Sequence, residues 1–245
     1  MDQSLKLKKE PLDRKGAFVY VSKHHTFGTD ALLLADFANA KKKDKYIDLC
    51  TGCGIIPFVL LRDKKVDYAS AVDISEEAID LCNKTAEEQG LKDKINPILA
   101  NIKDLPKNMM GSHTLVTCNP PYFQEGKGLI NPDGKDAVAR HEIDCNLDEV
   151  LSIAFKLLNT SGRLCMCHTP SRLTEILKKM SEYKLEPKRI RFISQRFEKK
   201  PFLVLIEGKK CSKSGITVLP TLSLTECEEE VRAIYGGYKE GYNLY

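Results

Sequence analysis

From residue 46 to residue 118, short apolar runs rich in strand formers alternate with stretches whose apolar residues recur at helical spacing. Parallel strands need long crossovers, usually helical, so this repetition predicts an α/β fold with a doubly wound, mostly parallel sheet. YIDLC (46–50), YASAVDI (68–74), INPIL (95–99) and TLVTC (114–118) read as its first four strands. IIPFVLL reads as the helix after the first. Ser75 is the expected N-cap of the next, with Glu76 and Glu77 at its positive end, Ala78, Ile79, Cys82 and Ala86 on one face, and Gly90 as its stop. Asn146, with Glu149 three residues on, opens a helix to about Leu158; RLCMC (163–167) is a strand and 171–183 a helix. RIRFIS and FLVLIEG are joined by QRFEKKP, too short for a helical crossover, so they pair antiparallel. The expectation is a seven-stranded sheet with an antiparallel last strand. Residues 1–245 read as one domain, with 1–44 an N-terminal extension packed on the core through an amphipathic helix, TDALLLADFA (29–38).

The turn after the first strand is DLCTGCG (48–54). In such sheets ligands bind beyond the carboxyl ends of the strands, where strand order reverses. Gly52 and Gly54 let backbone approach a ligand, and Asp48 can accept hydrogen bonds from a cationic amine. Asp73, at the end of the second strand, is placed to accept from both hydroxyls of a ribose. Together they suggest an adenosine-containing cofactor. The G-x-G-x-x-G of dinucleotide binders is missing. The embedded CxxC also permits thiol redox chemistry or zinc, but neither accounts for the flanking acid and glycines, and Cys165, Cys167, His24 and His25 make no convincing second pair of ligands. No metal is expected. His24 and His25 read as surface residues.

NPPY (119–122) follows the fourth strand and so belongs to the same edge. An exocyclic amine or an amide nitrogen is a poor nucleophile because its lone pair is delocalised. The Asn119 side-chain oxygen and the Pro120 carbonyl can both accept N–H bonds, drawing such a nitrogen toward tetrahedral geometry. Pro120 and Pro121 stiffen the turn, and Tyr122 can stack on the planar group. Attack precedes proton loss, so positioning does the work and no strong base is needed. The four residues point to methylation of a planar nitrogen on adenine, guanine or glutamine.

Composition narrows the partner and the compartment. Nine cysteines, an odd number spread through apolar segments, suit a reducing compartment and core filling. The N-terminal MDQSLKLKKEPLDRKG has no apolar middle, and no run nears the ~20 apolar residues of a membrane span, so a cytoplasmic protein is expected. The formal charge is only +4, but residues 171–213 hold thirteen Lys and Arg against five Glu. Such a segment is the footprint of a polyanion binder. Lys188, Arg189 and Arg191 with Arg196, Lys199 and Lys200 form its densest part.

The chain resembles the bacterial adenine-N6 methyltransferases that modify valine tRNA beside the anticodon. TDALLLADF, DLCTGCG, VDIS, NPPYF, ARHE (139–142), KLEPKRIRFIS and LTECEEEVRAIY carry the resemblance over nearly the whole chain. Asp-x-Cys-x-Gly-x-Gly departs from the D/E-x-G-x-G-x-G turn of class I methyltransferases, with Cys50 in place of the first glycine. The resemblance implies a Rossmann-like fold, S-adenosyl-L-methionine as cofactor and tRNA as partner. It implies cofactor binding by Asp48, Cys50, Thr51, Gly52, Gly54, Asp73, Ile74, Asn101, Ile102 and Asn119. Asn101 stands where many class I enzymes have an Asp on the adenine amine. Target-amine binding falls to Asn119, Pro120, Pro121 and Tyr122, and RNA binding to Tyr122, Phe123, Arg140, His141, Lys199 and Lys200. Asp30 is expected to cap its helix and to help orient the methionine end of the cofactor. Two alternatives stand: an N-methyltransferase of ribosomal guanine or protein glutamine, and a noncatalytic RNA-binding module on the same fold. A monomer is expected.

Overall fold

A computed structural model of the 245-residue chain describes residues 7–120 and 146–236. β1 (Lys8–Pro11) and β2 (Phe18–Val21) form an antiparallel hairpin, followed by α1 (Thr29–Phe37). The alternating region runs β3 (Tyr46–Leu49), α2 (Ile55–Arg62), β4 (Ala69–Asp73), α3 (Glu76–Glu88), β5 (Ile95–Leu99) and β6 (His113–Cys118). Then come α4 (Leu147–Leu157), β7 (Leu158–His168), α5 (Leu173–Glu182), β8 (Leu185–Ser194) and β9 (Leu203–Lys210). β10 (Thr217–Val218), β11 (Leu222–Ser223) and α6 (Glu228–Ile234) complete the described elements.

The strand order is β5-β4-β3-β6-β7-β9-β8, parallel from β5 through β7, with β9 antiparallel to both its neighbours. The short β10 and β11 each pair parallel with β8, so the sheet has nine strands where the sequence predicts seven. Two-residue pairings are too short for a detectable period, which is why they escape sequence reading. Helices cover both faces, so inward positions alternate between two cores: Tyr46, Leu115, Cys165 and Leu205 pack on the α1–α2 side, and Ile47, Val116, Leu164 and Ile206 on the α4–α5 side. Strands buried on both faces read as continuous apolar runs, as these do.

The local signals work where side chains make the bonds expected of them. Ser75 Oγ accepts from the Ala78 N–H at 3.3 Å, and Asn146 Oδ1 accepts from the Glu149 N–H at 2.9 Å, capping α3 and α4. Two expectations fail. α1 is not amphipathic in its packing, because Ala31, Leu32, Leu33, Leu34, Ala35 and Phe37 are all buried, and its N-cap is Gly28 rather than Asp30. β7 starts five residues before RLCMC, at Leu158, and absorbs residues 159–162 as an irregularity: its register with β6 jumps from His113↔Leu158 to Leu115↔Arg163.

Strand order reverses at β3, with β4 on one side and β6 on the other. The register sets Leu49 opposite both Val72 and Cys118, so the turns leaving β3, β4 and β6 meet at one point on the carboxyl edge.

Candidate active site

The turn after β3 is held in a left-handed path. Cys50, Gly52 and Gly54 have φ of 55°, 55° and 78°, which accounts for a glycine pattern at these three places. Cys50 therefore carries strain that a glycine would not, of roughly 1–2 kcal/mol. The two glycines serve different ends. A Cβ on Gly54 would stand 2.7 Å from Cys82 Sγ and 2.9 Å from the Phe58 ring, so this residue lets α2 pack on α3. A Cβ on Gly52 would meet nothing within 4 Å, so open space lies beside it.

Asp48 is almost wholly buried at the end of β3. Its carboxylate accepts from Thr51 Oγ1 at 2.7 Å and from the hydroxyl of Thr117, which in turn bonds the Tyr46 hydroxyl at 2.8 Å. The parallel register pairs Asp48 with Thr117 across β3 and β6, a partnership that becomes visible only once strand order is known. Burial pushes the Asp48 carboxyl up to about 7, against the pull of the two threonine hydroxyls, and the nearby Asp73 adds to the rise. Asp73 ties two turns together: its carboxylate accepts from the Gly52 N–H at 2.8 Å and the Ser75 N–H at 2.9 Å. Thr51 donates its N–H to the Val72 carbonyl at 2.9 Å. His25, read from the sequence as a surface residue, is partly buried with Nε2 on Ser75 Oγ at 2.9 Å, while His24 is exposed. Nothing in the sequence alone links residue 25 to residue 75.

Next along this edge, Ala100 donates to the Asp73 carbonyl at 3.0 Å and Asn101 Oδ1 accepts from the Lys103 N–H at 3.0 Å. Ile74 is 41% exposed beside Asp73, an apolar surface of the kind a purine ring covers. Ile102 is buried in the core below this edge.

Asn119 lies on the other side of β3. Its Oδ1 accepts from Cys167 Sγ at 3.0 Å, and its Nδ2 lies 3.4 Å from Asp30 Oδ2 in α1. The amide is thus held by α1 and β7 together, roles for Asp30 and Cys167 that the sequence did not single out. His168, also at the end of β7, is buried, and burial with the Arg172 charge lowers its pKa to about 4, so it is neutral at physiological pH. Pro120 is described; Pro121, Tyr122, Phe123, Arg140 and His141 lie outside the described residues.

The cysteine reading loses its chemical basis. Burial pushes the Cys53 thiol up to about 12, far from a reactive thiolate, and Cys53, Cys82, Cys118, Cys165 and Cys167 are all buried. Among the described residues no group of three His, Cys, Asp or Glu is placed to hold a metal ion. No helix among them is long and apolar enough to cross a membrane.

Much of the basic segment 171–213 is engaged within the fold. Arg189 donates to Glu207 at 2.6 Å and to the Phe37 carbonyl, Arg191 pairs with Glu230, Arg172 with Glu175, Lys179 with Asp148, and Lys210 caps two carbonyls. Arg189 and Arg191 are therefore structural, contrary to their expected part in the basic surface. Lys199 and Lys200 are exposed on the link between β8 and β9. They do not join the Asp48–Asp73–Asn119 cluster, yet they lie on the same sheet edge, because β9 runs antiparallel to β7 with Val204 opposite His168.

A protein of Parabacteroides distasonis described as tRNA1(Val) (adenine(37)-N6)-methyltransferase is 25% identical over 180 residues, 74% of this chain and 75% of its own. A protein of Dyadobacter fermentans with the same description is 23% identical over 201 residues, 81% of each chain. In fold, the crystal structure of a predicted O-methyltransferase from Agrobacterium tumefaciens superposes with a TM-score of 0.65 at 17% identity, covering 85% of this chain and 98% of that one. The family model of the methyltransferase small domain matches residues 14–169, a span that holds the β3 turn, Asp73 and NPPY. With a Rossmann-like class I sheet, an acid-and-glycine turn at its switch point and Asn119 beside it, the chain belongs to the methyltransferase small domain family.

Proposed function

We propose that the protein is an S-adenosyl-L-methionine-dependent methyltransferase acting on the exocyclic N6 of an adenine in tRNA, next to the anticodon. The carrying observation is the meeting of Asn119 with the Asp48–Asp73 edge across the switch point, where the amide is held by Asp30 and Cys167. The relatives' description as adenine(37)-N6 methyltransferases supports tRNA as the substrate class.

The site fits the cofactor. A buried carboxylate raised to about 7 gains from a neighbouring cation, which a methionine ammonium supplies. Open space beside Gly52 and the exposed Ile74 suit a nucleoside passing from the β3 turn to the end of β4. S-adenosyl-L-methionine, when bound, supplies an electrophilic methyl group on sulfur. Asp48 would face the ammonium end, Asp73 retains lone pairs that would accept ribose hydroxyls, and Asn101 could accept from the adenine amine. Asn119 Oδ1 and the Pro120 carbonyl accept the N–H bonds of the target amine and turn its lone pair toward the methyl. Cys167 and Asp30 hold the Asn119 amide in that orientation before RNA arrives, so little reorganisation remains at the moment of reaction. From the sequence, Tyr122 stacks on the extruded base.

Purified protein given methyl-labelled cofactor and unmodified valine tRNA tests the reading directly. Label in N6-methyladenosine supports it. Label in N2-methylguanosine of ribosomal RNA or in a protein glutamine, with tRNA blank, favours the alternative substrates, and no transfer to any of them favours a noncatalytic RNA-binding module.

A further inference from the structure

The β8–β9 link has a feature that the methyl-transfer reading leaves unused. Phe197 and Phe202 are 57% and 44% exposed, and they are the two phenylalanines that the described residues leave outward. A single exposed apolar side chain needs no explanation. Two aromatic rings within six residues, with exposed Lys199 and Lys200 between them and Arg196, 3.9 Å from Glu198, just before them, are a different case.

The rings stand on a fixed backbone. Phe202 donates its N–H to the Ile193 carbonyl at 3.0 Å, and Lys199 donates to the Arg196 carbonyl at 3.1 Å, closing the turn. The Phe197 N–H is held at 2.6 Å by the Glu226 carboxylate, itself bonded to Ser223 Oγ at 2.8 Å. The link is thus anchored at both ends and in its middle, and the rings meet water because the fold holds them there. Its place is also specific. β8 ends and β9 begins on the edge where β6 delivers Asn119, with β7 and β9 between, so three strand spacings of ~4.8 Å set β8 roughly 14 Å across the sheet from the strand that leads into Asn119. That distance spans about two nucleotides of extended strand.

We infer that this link is a stacking platform for unpaired RNA: Phe197 and Phe202 take bases adjacent to the methylated one, while Arg196, Lys199 and Lys200 hold the intervening phosphates. Every base has a π-face, so aromatic side chains interleaved with cations bind single-stranded segments with little sequence preference. Duplex RNA hides those faces and gains only the phosphate contacts. The inference rests on the proposed tRNA reading and adds to it a loop-specific grip outside the catalytic pocket.

The test compares wild type, Phe197→Ala/Phe202→Ala and Phe197→Trp/Phe202→Trp by fluorescence anisotropy, using the anticodon stem-loop of valine tRNA and a fully paired hairpin of equal charge closed by a non-nucleotide glycol linker. The alanine protein should bind the stem-loop roughly ten-fold or more weakly, with an unchanged salt slope, unchanged hairpin binding and unchanged cofactor affinity and melting temperature. The tryptophan protein should bind at least as well as wild type. Equal stem-loop affinity in the alanine protein overturns the platform even if that protein methylates tRNA, and so does an equal loss on stem-loop and hairpin. A wild type that binds and methylates no tRNA refutes instead the functional reading on which the platform rests.

Discussion

The two ends of one sheet edge have opposite electrostatic characters. At β3 and β4 the side chains are Asp48 and Asp73, buried or bonded to backbone N–H groups, around a turn that leaves room beside Gly52. At β8 and β9 the groups are Arg196, Lys199 and Lys200, outward and beside two exposed phenylalanines. Two carboxylates beside an open glycine turn suit a small ligand with an ammonium, a sulfonium and a ribose, and a cationic aromatic link suits a polyanion with exposed bases. Asn119 stands between them, where the two ligands would meet. The contrast also shows what a charge count conceals: of the thirteen cations in 171–213, several of the most prominent, Arg189 and Arg191 among them, are bound within the protein.

The contrast breaks most severely if its middle is removed without harm to either end. Asn119→Ala should lower methyl transfer by two orders of magnitude or more while calorimetry finds cofactor affinity nearly unchanged. Near-normal turnover would sink the amine-positioning mechanism. Asp73→Ala should come next, because it removes the anchor of the Gly52 and Ser75 N–H groups together with the proposed ribose acceptor: a loss of about 1–3 kcal/mol in cofactor binding, with tRNA affinity unaffected.

The acid end should also titrate. Asp48 is raised by burial, so below about pH 7 it carries a proton that a cationic ligand must displace. Cofactor affinity should fall by up to ten-fold per pH unit below that point, with proton release on binding, and Asp48→Asn should flatten the profile. The same linkage makes the ligand-free fold lose stability as pH rises from its ordinary 3.8 to about 7, because the ionised form is the one the buried site disfavours. A flat affinity between pH 5.5 and pH 8 would remove Asp48 from the ammonium end.

Much of this was legible in the sequence, for physical reasons that differ by element. Ser75 and Asn146 announced their helices because a cap is a local bond, and YIDLC announced its strand because both its faces are buried. DLCTGCG was legible because a left-handed turn restricts residue type, although Cys50 broke the pattern while keeping its φ of 55°. What could not be read is long-range. Thr117 meets Asp48 through strand register, His25 meets Ser75 across 50 residues, and Cys167 reaches Asn119 only because β7 lies beside β6. The fate of Arg189 depended on Glu207 in the neighbouring strand, and β10 and β11 were too short to show a period.

Smaller effects sharpen the comparison. Lys199→Ala/Lys200→Ala should weaken tRNA binding several-fold across tRNA species and flatten its salt dependence, with cofactor affinity unchanged; a salt titration superimposable on wild type would make these lysines a merely soluble face. Cys50→Gly should retain activity and raise stability by up to about 1 kcal/mol in thermal melting, since it relieves a left-handed non-glycine residue. Gly54→Ala should instead destabilise, through the Cys82 and Phe58 contacts that its Cβ would meet.

The central claim, that the two ends converge on an adenine of tRNA, is tested most directly by nucleoside mass spectrometry of valine tRNA from cells with and without this protein. N6-methyladenosine beside the anticodon should be present in the first and lost in the second, and should return with the wild-type chain but not with Asn119→Ala. The account is contradicted if that nucleoside is unchanged in the deletion, or if the missing methyl group is on ribosomal guanine or a protein glutamine.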